Sequence, residues 1–447
     1  MDLFKNKYIN LILLHVAIGI GLFLIPFLAK IYSLLILIIG LFYVVIKKNN
    51  NNEVLMVAAY IVGSEALLRM TQGSISYEFS KYGVMIFVII GMYFSGFSKN
   101  ALPFWVYILL LIPAIVIATA TLNYTTNIRT TIAFNISGPM CLGIASIYTY
   151  QRRISLDAFN AIFLSCGLPI ISMVVYLILY TPDLKEVLIN TGSNYQTSGG
   201  FGPNQVATIL GLGMFVFFSR FIFSSKSKLF FIVNIIIFLF ITYRGLLTFS
   251  RGGIITGIIM ILALISVVYM NSKKQGKYKI NFFIVFMGLM SIAIWTYTST
   301  ITDGLINKRY ANQDVKGNEK ESQLSGREEI LENEITLFLE NPVLGVGVAK
   351  GMELRAEKTG RQVVSHNEIT RTLAEHGSLG IAALLIVIFT PFFLYLDNKQ
   401  NLYVFSCVLF WILTINHAAM RLAAPAFIYS LSLLKVTIFE EDIIHRQ

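Results

Sequence analysis

Three basic side chains sit where local sequence places anion binding or proton transfer. Arg251 opens an apolar run in Thr248-Phe-Ser-Arg-Gly-Gly253, and the two glycines beside it permit close backbone approach, to a ligand or to another helix. Arg327 lies in Ser325-Gly-Arg-Glu328 and His366 in Ser365-His-Asn-Glu368. Both segments have the S-x-x-E form in which a serine and a glutamate cap a helix start reciprocally. Arg327 and His366 then fall in first turns, where free N–H groups and the macrodipole favour anions. The same field opposes protonation of an imidazole, which suits His366 to act as a neutral general base. The plainer alternatives stay open at this level: a solvated histidine that merely starts a helix, and an interfacial arginine snorkelling to water.

Other polar groups are weaker candidates for the same face: Arg244, Arg361, Arg371 and Arg421, with Asn367 and Glu375 beside the histidine motif. Glu65 and Arg69, four apart, are expected to pair with each other. Arg220 is expected to snorkel, His15, His417 and His445 to be structural, and His376 to serve a helix end before Gly377. No G-x-x-x-x-G-K-[ST] loop is present, so a nucleotide-driven pump of that type is excluded. No His, Cys or acidic set has metal-ligand spacing, and the turn around Lys30 has no acids. Neither metal nor cofactor is expected.

The elements that must position these groups are membrane spans. Of 447 residues, 56% are hydrophobic and only 13% charged, far too few charges for a soluble surface. The apolar runs approach the ~20 residues that cross a hydrocarbon layer, and in lipid such runs must be helical. Spans are expected at 11–29, 31–46, 54–70, 81–97, 104–121, 132–149, 159–181, 204–222, 229–248, 252–271, 280–298, 378–396, 402–418 and 421–438. The fold class is therefore an all-α integral membrane protein of about fourteen spans, or twelve if 31–46 or the last pair is re-entrant. The first run is expected to be retained rather than cleaved as a signal peptide. Cys141, Cys166 and Cys407 all lie in apolar runs and read as small core residues.

Every second loop is basic, at Lys47-Lys48, Lys99, Arg152-Arg153, Lys226 with Lys228, Lys273 to Lys279, and Lys399. By the positive-inside rule both termini are cytoplasmic and segment 299–377 lies outside. That segment holds 13 acidic and 10 basic residues, a net charge of −3, although the chain as a whole is +11. The excess positive charge thus sits in short loops, where it orients spans and does not point to nucleic acid. Three regions follow: a bundle at 1–298, a large extracytoplasmic loop at 299–377, and C-terminal spans at 378–447. In the loop, a first helix should bury Leu331, Ile335 and Phe338 and stop at Asn341-Pro342. Leu344 to Gly351 reads as a mobile glycine-rich turn, and a second short helix should end at Gly377. A second outer segment, 182–203, ends in a flexible glycine-rich lead, Thr197 to Asn204.

Taken together, Ser250-Arg-Gly-Gly253, Gly326-Arg-Glu-Glu-Ile330, Asn341-Pro-Val-Leu-Gly-Val-Gly347 and Ser365-His-Asn-Glu through Gly377-Ser-Leu-Gly380 resemble the O-antigen polymerase and O-antigen ligase superfamily. The motif-bearing part runs from about 200 to 380. The resemblance implies a glycosyltransferase that takes a glycan from undecaprenyl pyrophosphate and moves it to a sugar hydroxyl without a metal. Carried over, Arg251 and Arg327 would hold the pyrophosphate and His366 would deprotonate or position the acceptor. Asn367, Arg244, Arg361, Arg371 and Glu375 would be further substrate contacts. The expected acceptor is a lipid-linked repeat unit in a polymerase of O-antigen or capsular polysaccharide, or lipid A-core in a ligase. The polymerase is preferred, because usage rich in Ile, Asn and Lys suits an AT-rich polysaccharide locus. A chain-length regulator is an expected partner, and the bacterial cytoplasmic membrane the expected location. The rival of another class is a flippase or transporter, in which polar groups spread along the bundle centre.

Overall fold

The computed structural model describes residues 2–123, 127–181, 183–184, 186–225, 227–320, 328–360 and 363–438. Seventeen α-helices lie among them, and ten are long and apolar enough to cross a membrane. The N-terminal six are α1 (Asp2–Leu24), α2 (Leu28–Lys47), α3 (Glu53–Met70), α4 (Phe79–Ser95), α5 (Leu102–Thr121) and α6 (Ile128–Thr149). Then come α7 (Leu156–Tyr180), α8 (Pro203–Phe223), α9 (Lys228–Leu247), α10 (Arg251–Asn271) and α11 (Lys274–Ile301). The polar segment holds α12 (Leu305–Tyr310), α13 (Glu328–Glu340) and α14 (Lys350–Thr359). The chain closes with α15 (Glu368–Asp397), α16 (Val404–Ile415) and α17 (Ala424–Leu431).

Helices α3, α7 and α8 form the centre and are buried on nearly every face, whereas α11 buries only Thr298 and stands at the edge. Helix α3 is central despite carrying Glu53, Glu65 and Arg69, because its charges have partners inside the protein. All fourteen expected spans correspond to helices, but the last pair is much shorter than expected. Twelve residues make α16 ~18 Å long and eight make α17 ~12 Å, both short of a ~30 Å hydrocarbon layer. Residues 416–423 between them are turn and bend. Non-helical backbone at such a place survives only if protein satisfies it. Here Ala419 N–H donates to the His366 carbonyl (3.1 Å), Met420 N–H to Glu368 (3.2 Å) and Ala423 N–H to Glu65 (2.8 Å).

The expected final span also ends early, because Lys435–Thr437 is a strand, β2, not helix. It pairs in parallel with β1 (Arg153–Ser155), so the fold is nearly rather than wholly helical. This small sheet ties the chain's last segment to the basic-loop end of the bundle. The 416–423 turn and the polar segment lie at the opposite end.

Candidate functional site

The site is built around the loop that leads into α15. Asn367 caps this helix, its Oδ1 accepting from Ile369 N–H (2.9 Å) and Thr370 N–H (3.4 Å). The cap therefore lies two residues beyond Ser365, the residue expected to provide it. His366 precedes the cap and is not in the first turn, and the Asn367 side-chain oxygen caps the helix. Ser365 instead folds the loop on itself, accepting from Asn367 N–H and donating to Glu334 (both 3.2 Å).

Glu334 is the hub that local sequence did not reveal. Its carboxylate also accepts from Thr370 Oγ1 (2.6 Å) and from Arg355 (3.1 Å), at 1% exposure. Helix α13 thus buries Glu334 and Leu337 and leaves Ile335 exposed, which corrects the expected apolar face. A buried carboxylate with three donors is satisfied, and so can outcompete an apolar residue for the inward position.

Helix α15 breaks at Gly377, as expected from the C-terminal glycine of the short helix; its φ is 61°. The Leu344–Gly351 turn, expected to be mobile, is tied to this break. Val346 N–H donates to Ala374 O (2.9 Å), Gly347 N–H to Glu375 O (3.1 Å) and Ala349 N–H to the Glu375 carboxylate (2.9 Å). Backbone packs directly on backbone, since a Cβ on Gly345 would lie 2.4 Å from the Glu375 carbonyl carbon. Arg371 pairs with Glu368 and more distantly with Glu375 (3.8 Å), and donates to Asn135 (2.8 Å). Arg371 and Glu375 thus both help to hold the loop.

A second set of contacts comes from the 416–423 turn. Glu65 and Arg69 pair as expected (2.8 Å), and both also grip this turn, Arg69 donating to Arg421 O (3.1 Å). Arg421 in turn donates to the Ser365 carbonyl (2.9 Å). Two residues after His417, Ala419 holds the His366 carbonyl. The His417 ring stands on Gly252, where a Cβ would come within 2.7 Å of it. Gly253 meets the α8 backbone, a Cβ there lying 2.2 Å from Ala207. Both glycines are therefore explained by packing against protein. The 416–423 turn thus touches both Gly252, next to Arg251, and the His366 carbonyl, and Arg251 and His366 are both half-buried.

Arg251 has basic neighbours. Arg309 donates to Phe249 O (2.7 Å) and Ser193 (3.1 Å), which brings α12 to the start of α10. Lys320 is held below the usual lysine range by partial burial and by the positive charges of Arg309 and Arg251. The Tyr310 hydroxyl is pushed up to about 12 by burial, although the same two arginines pull it down. Arg244 is different: it is buried and donates to Thr181 Oγ1 and Thr197 O (both 2.9 Å). It thereby fixes the Thr197 segment, expected to be flexible, which also donates from Thr197 Oγ1 to Leu247 O (2.6 Å). Arg327, Ser325, Arg361 and His445 lie outside the described residues. Among the described residues no group of three or more His, Cys, Asp or Glu side chains gathers as a metal-ligand set.

Tyr310 also closes one end of an apolar cavity of about 340 Å³ between α8, α9, α10 and α11, lined by Phe218, Leu246, Ile258, Gly288 and Trp295 among others. An apolar recess thus abuts a cationic cluster. Residues 235–385 match the O-antigen ligase family. No curated protein matches the chain. The O-antigen ligase match runs from within α9 to the middle of α15, so it includes Arg251, Arg309, Glu334 and His366. It supports the resemblance to the O-antigen polymerase and ligase superfamily.

Proposed function

We propose that this chain transfers a glycan from undecaprenyl pyrophosphate to an acceptor sugar hydroxyl, polymerising O-antigen or capsular repeat units. The observation that carries the reading is the juxtaposition of a cationic cluster around Arg251 with an apolar cavity, the 416–423 turn touching both Gly252 and the His366 loop. A prenyl diphosphate needs those two environments side by side. In the reaction, the acceptor oxygen attacks the anomeric carbon and the bond from that carbon to the pyrophosphate oxygen breaks. His366 takes the hydroxyl proton, and the lipid pyrophosphate leaves with its charge held by Arg251 and Arg327. Arginine suits this role because it is permanently charged and binds phosphate oxygens bidentately. In this reading both termini lie in the cytoplasm, and the 299–377 segment and the site lie outside a bacterial inner membrane, as the alternation of basic loops supports.

The second reading is transfer of finished polysaccharide to lipid A-core, favoured by the description of the matching family as O-antigen ligase. One assay tests both. Purified protein is supplied with undecaprenyl-pyrophosphate-linked repeats in EDTA, with and without lipid A-core. A ladder of repeats from the donor alone makes it a polymerase; product only with lipid A-core makes it a ligase. No transfer in either tube, or full transfer by both His366→Ala and Arg251→Ala, overturns the proposal.

A further inference from the structure

The basic-loop end carries a cavity of about 480 Å³ that the transfer reaction does not use. It lies where the α2–α3 turn, the end of α4 and the start of β1 meet, and Lys48, Asn52, Ser95, Phe97, Arg152 and Arg153 are among the residues lining it. Arg152 is the informative member. Its guanidinium donates to Tyr148 O (3.0 Å), Asn52 Oδ1 (3.3 Å), Ser95 Oγ (3.1 Å) and the Gly96 carbonyl, and it lies over the Tyr148 ring at 3.9 Å. Every one of these partners is neutral. No carboxylate pairs with Arg152 among the described residues, and burial draws its pKa down. Lys48 and Arg153 add two exposed positive charges to the same wall, and among the described residues no acidic side chain lines it.

A partly desolvated cation normally has a counter-charge, and among the described residues no carboxylate provides one for Arg152. The lining instead offers cations and hydroxyl and amide donors, the set that binds a phosphate group. The surroundings indicate where that phosphate comes from. Phe97 lines the cavity at 48% exposure and packs on Trp105, while Tyr93, one helical turn back, is 85% exposed. Exposed aromatics at a helix end mark the level of lipid headgroups. Basic pockets between helices at that level hold anionic headgroups.

We propose that this cavity binds the phosphate of an anionic phospholipid, with Arg152 at its base, Lys48 and Arg153 at its rim, and the acyl chains along the Phe97 and Trp105 face. The site is remote from the transfer residues, and its test is independent of glycan transfer. Detergent-purified protein is titrated with phosphatidylglycerol, phosphatidylcholine or inorganic phosphate, and melting temperature and lipid retention by native mass spectrometry are read. Phosphatidylglycerol is expected to stabilise the protein and to stay bound where phosphatidylcholine does not. Lys48→Ala and Arg153→Ala, at exposed positions, are each expected to weaken that binding roughly fivefold. Arg152→Lys, which keeps the charge, should retain more binding than Arg152→Gln. Equal stabilisation by inorganic phosphate, lost in the same variants, keeps the phosphate site and assigns it to a soluble ligand. Equal response to phosphatidylglycerol and phosphatidylcholine, or anionic-lipid binding unchanged in the Lys48→Ala/Arg153→Ala double variant, overturns the proposal.

Discussion

Glu334 accepts from Arg355, Ser365 and Thr370, so one carboxylate joins α13, α14 and the loop that carries His366. Removing it breaks the buried pair with the Arg355 guanidinium, a change that typically costs ~3–5 kcal/mol. Glu334→Ala is therefore expected to lower the melting temperature and to cut transfer on the order of 10²-fold through a misplaced loop. Glu334→Gln keeps the shape and one acceptor oxygen, and should recover part of both. The measurements are a thermal melt and a rate with lipid-linked donor; full activity in the Ala variant would remove Glu334 from the site's support. His366→Ala should behave differently. His366 is half-buried, and its backbone carbonyl, which the substitution keeps, accepts from Ala419 N–H, so a melt close to wild type is expected. Transfer should nonetheless fall ~10²–10⁴-fold, the usual worth of a general base. A rate loss matched by an equally lowered melt would assign His366 to structure alone.

At the scale of elements, the tightest constraint is the seam between the 341–351 turn and the break in α15. Gly345 has φ 70° and Gly377 has φ 61°, and a Cβ on either would press on backbone of the other segment. Gly345→Ala thus combines a left-handed conformation, costing ~1–3 kcal/mol for a non-glycine residue, with a clash that only backbone movement relieves. It is expected to lower both the melting temperature and the transfer rate, whereas Gly360→Ala, at φ 68° but facing open space, should cost only the strain. Comparing the two melts separates seam from strain; equal shifts would mean the seam carries nothing. This part of the molecule also shows what sequence could reveal. The long spans were legible because lipid demands long apolar runs, and Gly377 was legible because a helix end favours glycine. The length of α16 and α17 was not. Residues 402–438 are apolar almost throughout, and the interruption at 416–423 is held by Glu65, His366 and Glu368, far away in the chain. The position of the α15 cap was hidden because Ser365 and Asn367 are both good caps, and Ser365 was engaged by Glu334. Arg251 and His366 stood out by motif, but Arg309 did not, since its place beside Arg251 depends on how α12 folds back on α10.

Across the whole molecule, the proposed reaction needs a path on which one lipid remains in the bilayer while its diphosphate reaches water. The cavity between α8, α9, α10 and α11 offers such a path, because α11 stands at the edge of the bundle and Tyr310 links the cavity's end to the cationic cluster. Its lining is almost wholly apolar, which suits a prenyl chain and gives a polar acceptor sugar no purchase. Gly288 provides a clean way to test this. It lines the cavity, and a Cβ built on it meets nothing within 4 Å, so a larger side chain there enters open space and not the packed core. Gly288→Leu should therefore leave the stability within about 1 kcal/mol of wild type or raise it slightly, since leucine also favours helix, with the melting temperature as the readout. If the prenyl chain occupies this cavity, the variant should raise KM for the undecaprenyl-linked donor by roughly tenfold, the effect of losing about 1.4 kcal/mol of binding. KM for the acceptor and kcat should stay near wild type, because Arg251 and His366 are untouched. A donor carrying a much shorter prenyl chain supplies the control: it should be used equally by wild type and Gly288→Leu. An unchanged KM for the long-chain donor would move the lipid to another face of the bundle and leave the cationic cluster to be approached from there.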